Sequence, residues 1–203
     1  MNQMKDKIFF ACEVRAQKDE EHGTFISGRP IVFNSIYDNG MFKETIDGGA
    51  LDKTDLRDVK FLVNHNTDMI PLARSRNNNK NSTMQLMPCD EGMDIRVNLD
   101  VENNSDAKAL YSAIQRGDIS GMSFMFGIDG EEWEGLDSDY PTRHITSISK
   151  VYEVSAVTFP AYEDTTLNAR SKSVLDNARS TLDSVKDDAL ELFKLKNRIL
   201  GGI

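Results

Sequence analysis

Apolar side chains recur at every second position over residues 8–16 (Ile8, Phe10, Cys12, Val14, Ala16), the repeat of a strand with one buried face. A cleaner alternation covers residues 94–101, where Ile95, Val97, Leu99 and Val101 share one face and Asp94, Arg96, Asn98 and Asp100 the other. Both patterns predict strands. A further run, 24–33, is interrupted by Gly28-Arg29-Pro30, which marks a turn or bulge. From 105 to 116 the period lengthens: Ala107, Leu110, Ala113 and Ile114 line one side of a helix, Asn104 or Ser105 can cap its free amides, and Gly117 stops it. This helix leads into a predicted strand in which Met122, Phe124, Phe126 and Ile128 alternate with Ser123, Met125 and Gly127, so Ser123 lies on the less bulky face. In 151–160, Glu153, Ser155, Val157 and Phe159 share a face opposite Tyr152, Val154, Ala156 and Thr158. Residues 130–143 are acidic and turn-rich, carry the only tryptophan, Trp133, and read as a long loop or a loosely held hairpin. Residues 74–82 read as an exposed turn.

After Pro160 the pattern changes. Leu175, Ala178, Leu182, Val185, Ala189, Leu192 and Ile199 follow steps of three and four, interrupted only by Lys196, which predicts a heptad-like stripe on a helix of about 30 residues. Such a helix either folds back onto the domain or serves as a detachable partner-binding element. The chain therefore divides into a core, 1–165, and a helical tail, 166–203. No internal repeat is visible.

The 203 residues suffice for one well-buried domain plus an appendage. With 39% hydrophobic and 28% charged residues, disorder throughout is excluded. A net charge of -9 and no basic cluster argue against a nucleic-acid partner. No apolar run approaches the roughly 20 residues that span a bilayer, and the apolar stretch near the start is cut at Glu13, too short for a signal peptide. Cys12 and Cys89 lack Cys-x-x-Cys spacing and read as reduced, packed thiols of a protein made in the cytoplasm.

Three stretches carry chemistry. Val59-Lys-Phe-Leu-Val-Asn-His-Asn-Thr-Asp68 presents His65, Gly121-Met-Ser-Phe-Met-Phe-Gly127 presents Ser123 among small or apolar neighbours, and Glu153 stands in an otherwise apolar strand. A serine hydroxyl is a weak nucleophile until a base takes its proton, and the base works best when a further group sets its tautomer and steadies its charge. Taken singly, each residue has an ordinary structural reading; a buried Glu153 needs either a salt bridge or a histidine partner. The α/β-hydrolase elbow does not fit, because Met125 holds the place of its second glycine, and that fold would need His144 as base with Asp137 or Asp139. Metal catalysis fits poorly: His22, His65 and His144 are scattered, with no His-Glu-x-x-His or calcium-loop spacing, and no glycine-rich phosphate loop is present. No cofactor is expected.

The order His65, Ser123, Glu153 and its local contexts resemble the prohead proteases of tailed bacteriophages. The resemblance covers roughly residues 25–165 and also runs through Gly28-Arg-Pro-Ile-Val-Phe-Asn34, Gly48-Gly-Ala-Leu51 and Arg116-Gly-Asp-Ile-Ser-Gly-Met-Ser-Phe124. It implies an α+β fold, a mostly antiparallel β-barrel flanked by helices as in the herpesvirus assemblins, where a second histidine takes the place that Glu153 would fill in this chain. It implies a serine endopeptidase with Ser123 as nucleophile, His65 as base and Glu153 as its orienting acid. By analogy with assemblins, backbone amides around Ala161 and Tyr162 would receive the oxyanion. The resemblance further implies that the substrates are the scaffold protein or the scaffolding segment of the major capsid protein, that the chain cleaves itself, and that it works inside the procapsid in the host cytoplasm. The 175–199 helix would permit self-association. The competing expectation is a non-catalytic, scaffold-like assembly module that keeps the barrel and uses this helix to oligomerise.

Overall fold

The computed structural model describes residues 5–10, 14–19, 23–158 and 165–200, with backbone alone for 5–10, 165–170 and 197–200. In chain order the elements are β1 (Lys5–Phe10), β2 (Arg15–Asp19), β3 (Gly23–Val32), β4 (Tyr37–Asp38), β5 (Lys43–Ile46), β6 (Lys60–Val63), β7 (Ala73–Arg74), β8 (Met84–Cys89), β9 (Gly92–Asn98), α1 (Ser105–Arg116), β10 (Gly121–Glu134), β11 (Thr142–Val157) and α2 (Thr165–Leu200). The class is α+β, dominated by strands.

Two sheets form. One runs β2-β3-β9-β8, antiparallel throughout; the other runs β1-β10-β11-β5-β4, with β6 also paired to β11 and β7 to β6. Among the described residues there is no closed barrel, in contrast to the expectation. The long strand β11 takes two parallel partners along its length, β5 over Thr142 to Ile145 and β6 over Glu153 to Ala156. The two sheets instead share one apolar cluster, with Ile26, Ile31, Met84, Met93, Ile95 and Val97 from the first and Phe61, Met122, Phe124, Phe126, Val154 and Ala156 from the second.

The alternation over 94–101 becomes β9, whose Met93, Ile95 and Val97 are buried between half-buried Asp94, Arg96 and Asn98. The break at Gly28-Arg29-Pro30 is a bulge, since the β3–β9 register shifts between Gly28 and Ile31. Gly92 sits against it with φ 147°, and a Cβ there would lie 1.9 Å from the Ile31 carbonyl oxygen. Of the strand expected over 8–16, residues 8–10 lie in β1, paired with β10, and residues 15–16 in β2, paired with β3 in the other sheet. Period 2 marks a strand but not its partner, so the pattern carries no sign of which sheet each part joins.

Helix α1 is capped as its sequence requires. The Asn104 side chain accepts from the amides of Asp106 and Ala107, and Gly117 closes the end at φ 79°. Of the two readings for 130–143, the hairpin holds: β10 and β11 extend through Glu134 and from Thr142 as paired strands. Its far end has its own small core, in which Phe42, Val174 and Leu175 are buried against Met41, Trp133 and Leu136. Helix α2 therefore docks around Val174 and Leu175, and Arg179 donates to the carbonyls of Leu136 and Ser138. Further along, Val185, Leu190, Leu192, Phe193 and Leu195 are exposed. No helix among the described residues is long and apolar enough to cross a membrane. Cys89 was expected to be packed but is exposed, because the last three residues of β8 run out of the core toward the turn into β9; Cys12 lies outside the described residues.

Candidate active site

Strand pairing assembles the site. Ser123 lies directly opposite Ser155, and Met125 opposite Glu153, in a β10–β11 register that is unbroken from Gly121↔Val157 to Met125↔Glu153 and shifts immediately afterwards. Directly paired residues share a face, as do residues two apart on one strand. Ser123, Ser155 and Glu153 therefore stand together on the face opposite Met122, Phe124, Val154 and Ala156, which enter the main core. The amphipathic logic is inverted here: the polar face is buried as well, with Ser123 and Ser155 fully inaccessible and Glu153 3% exposed.

His65 arrives from β6, in parallel register with the same stretch of β11 (Leu62↔Ser155, Val63↔Ala156). The chain then turns sharply, with Asn64 at φ 50° and His65 at φ 55°, a left-handed conformation that is unfavourable for L-residues other than glycine but eased for asparagine. Three contacts to the end of β11 hold it. The Asn64 amide donates to the Ala156 carbonyl at 2.9 Å, the Thr158 amide to Asn64 Oδ1 at 2.9 Å, and the His65 amide to Ser155 Oγ at 3.1 Å. Ahead of β6, Asp55 donates its backbone amide to the Ser149 carbonyl and accepts from Lys150 Nζ at 2.9 Å. The Arg57 guanidinium, and after it the Lys150 ammonium, hold the Asp55 carboxyl far below the usual carboxylate range.

The turn folds the imidazole onto the polar face. His65 Nε2 lies 2.8 Å from Ser123 Oγ, and His65 Nδ1 is hydrogen-bonded to Glu153 Oε1. The other carboxylate oxygen, Oε2, accepts from the Ser155 hydroxyl at 2.6 Å. A carboxylate on Nδ1 and a hydroxyl on Nε2 suit the tautomer with its hydrogen on Nδ1 and its lone pair toward the serine. The arrangement is largely removed from water, with the His65 side chain 6% and the Glu153 side chain 4% exposed, so each polar contact acts at low effective dielectric.

His65, Ser123 and Glu153 thus converge, although 58 and 88 positions separate the histidine from its two partners. Ala161 and Tyr162 lie outside the described residues, as does His22. His144 is remote from Ser123; it bonds Asp47 at 3.1 Å and stands 3.6 Å from Glu134. Among the described residues no group of three or more His, Cys, Asp or Glu could hold a metal ion. Sequence reasoning missed Ser155. Its signal was available in its position two residues after Glu153 on the same face, but its contact with the His65 amide depends on the β6–β11 register.

In comparison with known proteins, a model of the family described as caudovirus prohead serine protease matches residues 10–180. The searches of curated proteins and of solved structures returned no match.

Proposed function

The chain belongs to the caudovirus prohead serine protease family, and on that premise we propose that Ser123, His65 and Glu153 form its catalytic triad. The observation that carries this reading is the 2.8 Å contact from His65 Nε2 to Ser123 Oγ, combined with a carboxylate on the opposite ring nitrogen. His65 takes the Ser123 proton as Oγ bonds to the scissile carbonyl carbon, giving a tetrahedral oxyanion. The imidazolium then returns that proton to the leaving amine as the C–N bond breaks, and water repeats the sequence on the acyl-enzyme. Glu153 remains a hydrogen-bond acceptor throughout: it orients the ring and offsets the positive charge without being protonated. Backbone amides around Ala161 and Tyr162 are the proposed oxyanion donors. No cofactor enters this chemistry.

The substrates in this reading are the scaffold protein or the scaffolding segment of the major capsid protein, and the chain itself, cleaved inside the procapsid during maturation. The core, 1–165, carries the chemistry. The tail, 166–203, joins copies or assembly partners through the exposed apolar residues of distal α2, while Val174 and Leu175 pack at the end of the β10–β11 hairpin. The test is covalent labelling with a fluorophosphonate, together with cleavage of a capsid protein that retains its scaffolding segment. Wild type should label and cleave; Ser123→Ala and His65→Ala should do neither while keeping wild-type circular dichroism. Cleavage by pure Ser123→Ala would overturn the assignment.

A further inference from the structure

Beyond the three reacting residues, we infer that Ser155 is a positioning residue that couples the His65 turn to the Glu153 carboxylate. This inference rests on the triad assignment. The Ser155 hydroxyl makes two bonds of opposite sense: it donates to Glu153 Oε2 at 2.6 Å and accepts from the His65 backbone amide at 3.1 Å. The side chain is fully buried, so neither bond is exchanged for water.

Each bond answers a specific need of the site. A carboxylate held through one oxygen can rotate about its terminal torsion, which is broad and nearly two-fold. With Oε1 on His65 Nδ1 and Oε2 on Ser155, both oxygens are held and the plane of the carboxylate is set. The second bond acts on the base from the other side. At φ 55° His65 sits in a strained region, and Ser155 Oγ accepts its backbone amide there. One hydroxyl therefore fixes both ends of the His65–Glu153 hydrogen bond. Its own place is determined by strand pairing on both sides, opposite Ser123 on β10 and beside Leu62 on β6. Ser155 bonds the Glu153 carboxylate and the His65 backbone amide, so in this reading its effect falls on the rate of the chemical step and not on peptide binding.

The test uses the full-length chain with Ser155→Ala, and with Ser155→Cys, which fills the site while weakening both hydrogen bonds. The expected result is a kcat lowered roughly tenfold to a hundredfold, the scale of one charge-assisted hydrogen bond lost behind a reacting group, with KM within about twofold of wild type. The downfield proton resonance of His65 Nδ1–H should shift or broaden in both variants. A kcat within about threefold of wild type in a folded variant, or an unmoved resonance, would overturn the inference. The two readings fail separately: if wild type neither labels with a fluorophosphonate nor differs from Ser123→Ala, the triad reading falls, whereas the resonance still reports on Ser155 alone.

Discussion

Glu153→Gln isolates the charge of the carboxylate from its shape. The amide is isosteric and can still present an oxygen to His65 Nδ1–H. Its nitrogen would then face Ser155 Oγ, which can accept from it through a lone pair once the serine hydrogen turns away from the former Oε2 position. The geometry can therefore survive, while the anion beside the nascent imidazolium is lost. The pair is nearly dry, with side chains 6% and 4% exposed. For two unit charges about 4 Å apart at an effective dielectric of about 20, the attraction is ~4 kcal/mol. At about 1.4 kcal/mol per tenfold, that corresponds to a rate loss on the order of a thousandfold. The assay is initial-rate cleavage of a peptide spanning a mapped cleavage site, at substrate concentrations below and above KM. Thermal unfolding of the variant is measured alongside, to show that the fold is retained. The loss should appear in kcat, because the charge it opposes exists only once the proton has moved. A folded Glu153→Gln with wild-type kcat would show that the carboxylate is a structural partner of His65, and its electrostatic role in catalysis would be refuted.

Phe42→Ala should cost about 3–5 kcal/mol in denaturant unfolding and shift the emission of Trp133, whose ring meets Phe42 edge-on at 5.0 Å; a loss below about 1 kcal/mol would show that this small core does not anchor α2. Leu192→Glu with Phe193→Glu should abolish concentration-dependent self-association in sedimentation while leaving the unfolding midpoint unchanged, since both side chains are exposed; a monomeric wild type would remove the self-association proposal. Asp55→Asn should destabilise the fold by about 1 kcal/mol near neutral pH, the upper range for an exposed or half-exposed ion pair. The Asp55 carboxyl is held below its ordinary range, chiefly by Arg57 and then by Lys150, so its contribution is complete above the ordinary aspartate range and fades as the pH falls through the folded-state value. Urea titrations of wild type and Asp55→Asn should therefore converge in acid, and a gap that widens there would contradict this.

What the sequence determined by itself is local. The period-2 run of 94–101, the cap–helix–stop signal from Asn104 to Gly117 and the alternation around Ser123 each state which face of an element turns inward, because side-chain direction follows directly from backbone repeat. Identical alternation is compatible with any partner strand, so the placing of residues 8–10 in one sheet and 15–16 in the other left no mark on it. For 130–143 the sequence left a long loop and a loosely held hairpin both open, and the choice is made by Trp133 and Arg143 meeting Phe42, Glu44 and Glu131. The candidate site shows the same division. His65, Ser123 and Glu153 could be singled out as a base, a nucleophile and an acid by residue type and context. Their convergence depends on two registers of one strand, antiparallel with β10 and parallel with β6; a shift of a single residue in the first would put Ser123 and Glu153 on opposite faces, and one in the second would displace His65 from both. Ser155 gained its two contacts only through those registers, and α2 its docked and exposed halves only through the hairpin that reaches Val174 and Leu175. Pairing and packing of this kind are decided by non-local burial, which is absent from any short window of sequence and present only once the whole chain has closed on its core.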